Sequence, residues 1–388
     1  MKVGDVLEEF KETLGNASEP VVLTLTEKNG FMPQAERFNK RLATADTSKY
    51  RLIRRNDIAF NPYLLWAGAL AQNTVCDSGV ISPLYPTFRV RDGFDPRYVG
   101  RLLLTPTIVS GYDKIAYGSV PRRRRTSVDD FLGLILPDAP SIEEQRRIAA
   151  ILDAADALRA KRRRALAKLD TLTQAIFIDM FGDPAFNPSN FPSQDLLDVS
   201  DSRDGVKCGP FGTQLAQHEY TDTGVPLWGI PQVNRKFKIE THEFLTPQKA
   251  EELSSYSIEP GDIVMTRKGT IGNCAVYPNG KPVGVMHSDL LRIRCNADTN
   301  PRFLSDQLTF SREIGEQIRV MSGGAVMPGI NVTKLKNITV LNPPSELQAE
   351  YANRCDSVDE ALQAAGRTLS EFDDLFASLQ QRAFRGDL

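Results

Sequence analysis

The sequence predicts an α+β protein made by duplication. Two similar modules of mixed α/β structure are separated by two long helices that pair as an antiparallel coiled coil, giving a pseudo-twofold internal repeat. Three observations predict it. Short anchors recur at one offset, two segments space their apolar residues in steps of three and four, and the remainder holds short β-rich runs punctuated by Gly and Pro.

The anchors share an offset of about 203 to 205 residues. Asn56-Asp57-Ile58 answers Gly261-Asp262-Ile263, and Asp95-Pro96-Arg97 answers Asn300-Pro301-Arg302. Ile135-Leu136-Pro137 through Pro140-Ser141 answers Val340-Leu341 through Pro344-Ser345, and Phe181-Gly182-Asp183 answers Phe384-Arg385-Gly386-Asp387. The repeat divides the chain into a first module (1–139), a central helix (140–182), a second module (195–343) and a C-terminal helix (344–388). Val21 to Thr26, Ile58 to Phe60, Phe88 to Val90, Ile263 to Thr266, Leu290 to Arg294 and Ile338 to Leu341 read as strands. Shorter helices follow Pro96 and Pro301.

Both long helices open with a capping-box pattern, Ser141 with Glu144 and Ser345 with Gln348. The first sets Ile148, Ile151, Ala155, Leu158, Ala165, Leu169, Leu172 and Ile176 on one seam. The second does so with Tyr351, Cys355, Val358, Leu362, Ala365, Leu369, Phe372, Phe376, Leu379 and Ala383. At 1.5 Å per residue each spans roughly 55 to 60 Å, a length that suits a spacer. The first helix is rich in Arg and Lys and the second in Asp and Glu, which favours their pairing. Gly366 costs about 1 kcal/mol mid-helix, and a close crossing would account for it. The run Lys161 to Arg164 has two readings, a solvated helix face or a contact to protein or DNA.

Composition bounds the rest. With 41% hydrophobic and 25% charged residues the chain falls in the globular class. No apolar run reaches the roughly 18 residues of a membrane helix. Met1 to Phe10 carries Asp5, Glu8 and Glu9 with no hydrophobic stretch, unlike a signal peptide, so a cytoplasmic protein is expected. The five cysteines form no C-x-x-C pair and read as reduced, mostly buried residues. The three histidines offer no zinc spacing. A net charge of −2 leaves any DNA binding to local basic patches. There is no phosphate-binding G-x-x-x-x-G-K-[ST] loop. Asn342-Pro343-Pro344-Ser345 has Ser where an adenine methyltransferase motif has its aromatic ring, and reads as a strand-to-helix junction.

Module, helix, module, helix is the layout of the specificity subunits of type I restriction–modification enzymes, and the resemblance covers essentially the whole chain. Its most specific pieces are Pro140-Ser141-Ile142-Glu143-Glu144-Gln145-Arg146-Arg147-Ile148-Ala149-Ala150-Ile151-Leu152 and Gly209-Pro210-Phe211-Gly212-Thr213-Gln214-Leu215. Gly261-Asp262-Ile263-Val264 with Gly269-Thr270-Ile271-Gly272 resembles the family too, as do Asn56 to Asn61 and Gly79 to Tyr85. The second helix departs from the usual opening at Leu347-Gln348-Ala349-Glu350. The resemblance implies two target-recognition domains that each read half of a split DNA site, with the helices fixing the gap. Two modification subunits would carry S-adenosylmethionine and methylate adenine, and restriction subunits would supply ATP-driven translocation and cleavage. The chain itself would be non-catalytic and hold no cofactor or metal. Since major-groove faces repeat about every 34 Å, a spacer of this length can present two readers to one DNA face.

Arg and Lys suit guanine edges, and Asn or Gln adenine. The candidate DNA-binding residues are Asn61, Tyr63, Lys114, Arg122, Arg123, Arg124 and Arg125 in the first module, with Tyr117 nearby. In the second they are Asn234, Arg235, Lys236, Arg267, Lys268 and Thr270, with Lys238 and the Ser322-Gly323-Gly324 turn. Pro121 followed by four arginines reads as a phosphate-contacting loop, and Phe211 as a core residue. Two rival functions remain. One is a coiled-coil protein scaffold, which a sequence-dependent DNA shift would exclude. The other is a methyltransferase or nuclease with unrecognised motifs, which cofactor binding by the isolated chain would reveal.

Overall fold

The computed structural model describes residues 1–15, 21–27, 30–37, 47–118, 124–184, 186–322, 330 and 332–388. The chain forms two compact units, one of residues 1–163 with 367–388 and one of residues 164–366. Each long helix therefore contributes one part to each unit.

The first unit is built on a four-stranded antiparallel sheet. Its order is Leu7–Phe10, Thr87–Val90, Ile58–Phe60, Leu70–Gln72. The second unit repeats it with Val206–Cys208, Leu290–Ile293, Ile263–Thr266 and Cys274–Val276 in the same order and sense. The accompanying strands repeat as well. Arg51–Arg54 pairs antiparallel with Ser78–Ile81, beside which Val22 makes a parallel bridge to Val80. In the second unit Ser257–Ile258 pairs antiparallel with Gly284–Met286, which runs parallel to Val225–Trp228.

The entry to the third strand of each sheet shows why the anchors recur. Asn56 and Gly261 both take left-handed backbone (φ 75° and 92°), the conformation that Asn and Gly tolerate best. The buried Asp57 then accepts the Arg54 N–H at 2.8 Å, and the buried Asp262 accepts that of Glu259 at 2.8 Å. Arg89 Nε donates to Asp57 at 3.4 Å and Arg294 Nε to Asp262 at 2.8 Å, so each buried charge has a cationic partner.

The first unit's core stacks Phe60, Phe88 and Phe131 on the sheet and takes in Ala383, with Phe376 and Leu379 of the terminal helix at its edge. The second unit's sheet core centres on Ile263, Leu291 and Ile293. A separate aromatic cluster joins Phe177, Phe181 and Phe303 to Tyr351 and Cys355. These clusters hold equivalent pairs. Tyr98 meets Phe384 at 5.2 Å between ring centres, and Phe303 meets Phe181 at 4.7 Å.

The first long helix runs Ile142–Asp170 and resumes as Leu172–Phe181 after Thr171, which itself keeps right-handed helical angles. The terminal helix runs unbroken over Ser345–Ala383, about 58 Å at the usual rise. Within the first unit they run antiparallel. Arg147 reaches the carbonyl of Leu388 at 3.0 Å, while Arg159 and Arg163 reach Asp373 at 2.6 and 2.9 Å. The expected basic-to-acidic pairing is made here.

The apolar seam needs correction on the first helix. Leu158 and Leu172 are exposed (59% and 38%), whereas Ile148, Ala149, Leu152, Phe177 and Phe181 are buried. Ile151, Leu169 and Ile176 are half-buried. The reason is Arg159. Its guanidinium lies 4.2 Å above the Phe376 ring and binds Asp373, so a cation occupies the seam position and Leu158 turns outward. The terminal helix keeps the predicted frame, with Val358 buried and Leu362, Leu369, Phe372, Phe376 and Leu379 half-buried.

The capping boxes are also corrected. Ser141 accepts the Glu144 N–H at 3.3 Å, but the Glu144 side chain turns to Arg147 at 2.7 Å. Gln348 does not reach back to Ser345; it lies buried against the second module. A Cβ on Gly366 would meet nothing within 4 Å, so no close crossing explains that glycine. All five cysteines are free, with Cys274 and Cys355 buried and the other three half-buried. Burial pushes the Cys295 thiol up to about 12.

Candidate nucleic-acid interface

The hairpin loop after the third strand carries candidates in both modules, and the two loops are built alike. In the first, Asn61 N–H donates to Ala69 O at 2.9 Å; in the second, Thr266 N–H donates to Asn273 O at 2.9 Å. A later segment closes over each loop. Thr126 N–H donates to Pro62 O at 2.9 Å and Ile330 N–H to Arg267 O at 3.3 Å. A third loop completes each cluster. The Asn61 amide donates to the Tyr85 hydroxyl at 3.4 Å, and Arg267 N–H donates to Asp289 O at 2.8 Å.

In the first module Asn61 Oδ1 accepts the Tyr63 N–H at 3.0 Å, which fixes the loop and leaves Tyr63 exposed. The exposed Arg125 lies 5.8 Å over the Tyr63 ring. Arg124 is different. It binds Asp113 Oδ1 at 2.5 Å and the Asp113 carbonyl at 2.7 Å, and sits 5.4 Å over Trp66. Expected as a phosphate contact, it gives three of its five donors to Asp113 and the Ala116 carbonyl, clasping two segments of the module. Lys114 is exposed at the end of the helix Pro106–Lys114, and among the described residues makes no ion pair. The exposed Tyr117 hydroxyl donates to Asp130 at 3.2 Å. Arg122 and Arg123 lie outside the described residues.

In the second module the short helix Ile230–Asn234 delivers Asn234, Arg235 and Lys236 to the surface, all exposed. Lys236 and Phe237 both hold left-handed backbone (φ 49° and 56°), a costly turn for side chains of this size. It is held because Phe237 is buried edge-on against Tyr277 and Trp228, at 4.8 and 5.6 Å. Arg235 and Lys236 form no ion pair among the described residues, which leaves both cations to solvent. Thr270 donates to Asn234 Oδ1 at 3.1 Å, so two candidates from separate segments meet.

Lys268 is paired with Asp289 at 2.6 Å, and Arg267 donates to the Ile330 carbonyl at 3.0 Å while lying 5.4 Å over the Phe211 ring. Phe211 is 54% exposed, which corrects its reading as a core residue. The reason is Gly209. A Cβ there would sit 2.1 Å from the His287 carbonyl, so the chain packs at the glycine and carries Phe211 outward. Sequence reasoning missed Asn273, whose amide also binds Asn234 at 2.9 Å. It stands outside the basic run, and only its place directly after the Gly269–Gly272 loop could have drawn attention to it. Gly323 and Gly324 lie outside the described residues. Among the described residues no cluster fit to hold a metal occurs, and no helix is long and apolar enough to cross a membrane.

Asn342-Pro343-Pro344-Ser345 forms a junction as predicted. Asn342 follows the strand Thr339–Leu341, and its Oδ1 and the Pro343 carbonyl both accept from Gln348. Both acceptors are therefore committed to the helix start.

Residues 208–370 match the family model of the type I restriction modification DNA specificity domain. That part of the chain is similar to the domain. Two solved structures share the fold. A chain from work on complex assembly and conformational transition of the type I R-M system has 17% identity and a TM-score of 0.63, over 100% of this chain and 97% of its own. The type I restriction–modification S subunit from M. genitalium has 15% identity and a TM-score of 0.58, over 99% and 95%. The type I S-subunit fold therefore extends over both modules and both helices, well beyond the residues of the specificity-domain match.

Proposed function

We propose that this chain is the sequence-specific DNA-binding specificity subunit of a type I restriction–modification complex. Each module reads one half of a bipartite DNA site, and the helices set the gap between the halves. Two modification subunits, carrying S-adenosylmethionine, methylate adenine where the specificity subunit places them. Restriction subunits, using ATP, translocate and cleave. Catalysis resides on those partners, and this chain positions them.

The observation that carries this reading is the repetition of one loop cluster in two modules, each presenting exposed polar, cationic and aromatic side chains. A duplicated reader suits a two-part target. Residues such as Arg235, Lys236 and Arg125 supply the local positive charge that a chain of net charge −2 needs to approach phosphates. Co-expression with a modification subunit, followed by mapping of methylated adenines, tests the proposal. The expected result is one motif in two parts with a fixed internal gap. Methylation without sequence preference, or a single undivided motif, contradicts it.

A further inference from the structure

Asn234 has an arrangement that determines what kind of base edge it can read. Its Oδ1 accepts two hydrogen bonds, from the Thr270 hydroxyl at 3.1 Å and from Asn273 Nδ2 at 2.9 Å. An amide oxygen has two lone pairs, so both are occupied. Among the described residues nothing accepts from Asn234 Nδ2, and the side chain is exposed. With Asn273 oriented to donate, reversing the Asn234 amide alone would set two NH2 groups against each other.

The network is braced from below. The buried Thr266 hydroxyl accepts the Asn273 N–H at 3.2 Å and donates to the Thr270 carbonyl, while Gly272 N–H binds Thr266 O at 3.0 Å. On the other side, Gln232 is buried and caps Gly229 N–H at 3.1 Å, and Phe237 locks the turn that follows. Asn234 thus presents two N–H donors in a fixed direction and no acceptor.

An asparagine that recognises adenine needs both functions, since its oxygen accepts from N6 and its nitrogen donates to N7. Asn234 cannot make that pair. Guanine is the base whose major-groove edge offers two adjacent acceptors, N7 and O6, and no donor there. We infer that Asn234, held by Thr270 and Asn273, is a specificity-determining residue that selects guanine through its major-groove edge. The inference rests on the proposed function and names one base contact within it.

The test uses the full-length chain with its modification subunit and a randomised duplex pool. The wild type first defines its motif; absence of any sequence preference overturns the proposed function, and this inference with it. Given a motif, each guanine is replaced singly by 7-deazaguanine, which lacks the N7 acceptor, and by hypoxanthine, which keeps N7 and O6. At one position 7-deazaguanine should weaken binding roughly ten-fold while hypoxanthine leaves it unchanged. In Asn234→Ala the 7-deazaguanine loss at that position should disappear. Asn234→Asp keeps an oxygen for Thr270 and Asn273 but offers acceptors to the DNA, so its selected motif should change there from guanine to cytosine or adenine. If no guanine couples to Asn234, or if the coupled base is adenine, the inference fails while the proposed function stands.

Discussion

Gln145 Oε1 accepts the backbone N–H of Asp95 at 2.9 Å, and 203 residues later Gln348 accepts that of Asn300 at 2.8 Å. The other end of each side chain donates to the proline carbonyl at its own helix start, Pro140 at 2.9 Å and Pro343 at 2.8 Å. Both glutamines are buried. Asp95 and Asn300 in turn cap the short helices that begin at Pro96 and Pro301. One buried amide thus ties a long helix to its module in each half.

Removing that amide leaves a backbone N–H and a carbonyl without partners, one of them buried in each half, at about 1–3 kcal/mol. Gln145→Leu and Gln348→Leu should each lower the melting temperature, and by similar amounts, because the two sites are built alike. Differential scanning calorimetry checks this. An unchanged transition in either variant contradicts the clasp.

Asp373 is held below the ordinary carboxylate range, chiefly by its hydrogen bond from Arg159 and then by the charges of Arg159 and Arg163. Its pKa in the folded state is lower than in the unfolded state. Its contribution to stability is therefore complete above the unfolded value, about 4, and is lost as pH falls through the folded one. Asp373→Asn should melt lower than wild type at neutral pH, and the gap should close on acidification. A gap that is constant with pH contradicts the assignment.

Gly366→Ala should stabilise the terminal helix by up to about 1 kcal/mol, since no neighbour opposes the added methyl group. Urea denaturation measures it. Destabilisation would show that a bend at this position is needed.

Much of the fold is legible in the sequence because its strongest signals are local. The helix periodicities and the turn residues Asn56 and Gly261 are read from neighbours along the chain. The order of the sheet strands is not, since Leu7–Phe10 pairs with Thr87–Val90, more than half the module away along the chain. The frame of the first helix was displaced because Arg159 packs as a seam residue, which a polar/apolar pattern cannot show. Gln145 and Gln348 look like solvated residues of a first turn until the backbone groups they satisfy are seen. For the candidate interface, residue type found Asn234, Thr270 and Arg267. Side-chain partners then separated the exposed Arg125 from the clasped Arg124, and added Asn273 and Phe211.

That separation is testable. Arg125→Ala should weaken DNA binding across sequences and flatten the salt dependence by about one unit of slope. Arg124→Ala should chiefly lower stability, because it breaks the link to Asp113. Filter binding over a salt series, with melting curves in parallel, distinguishes them, and an exchange of the two phenotypes contradicts the placement.

The most direct test of the central claim is to shorten the spacer. Deleting one heptad from each helix, residues 164–170 and 364–370, removes about 10 Å of helix, close to three base pairs of duplex. Methylated adenines are then mapped for this variant beside the wild type. The account predicts that both half-sites keep their sequences while the gap between them shrinks by about three base pairs. An active variant with the original gap would contradict it.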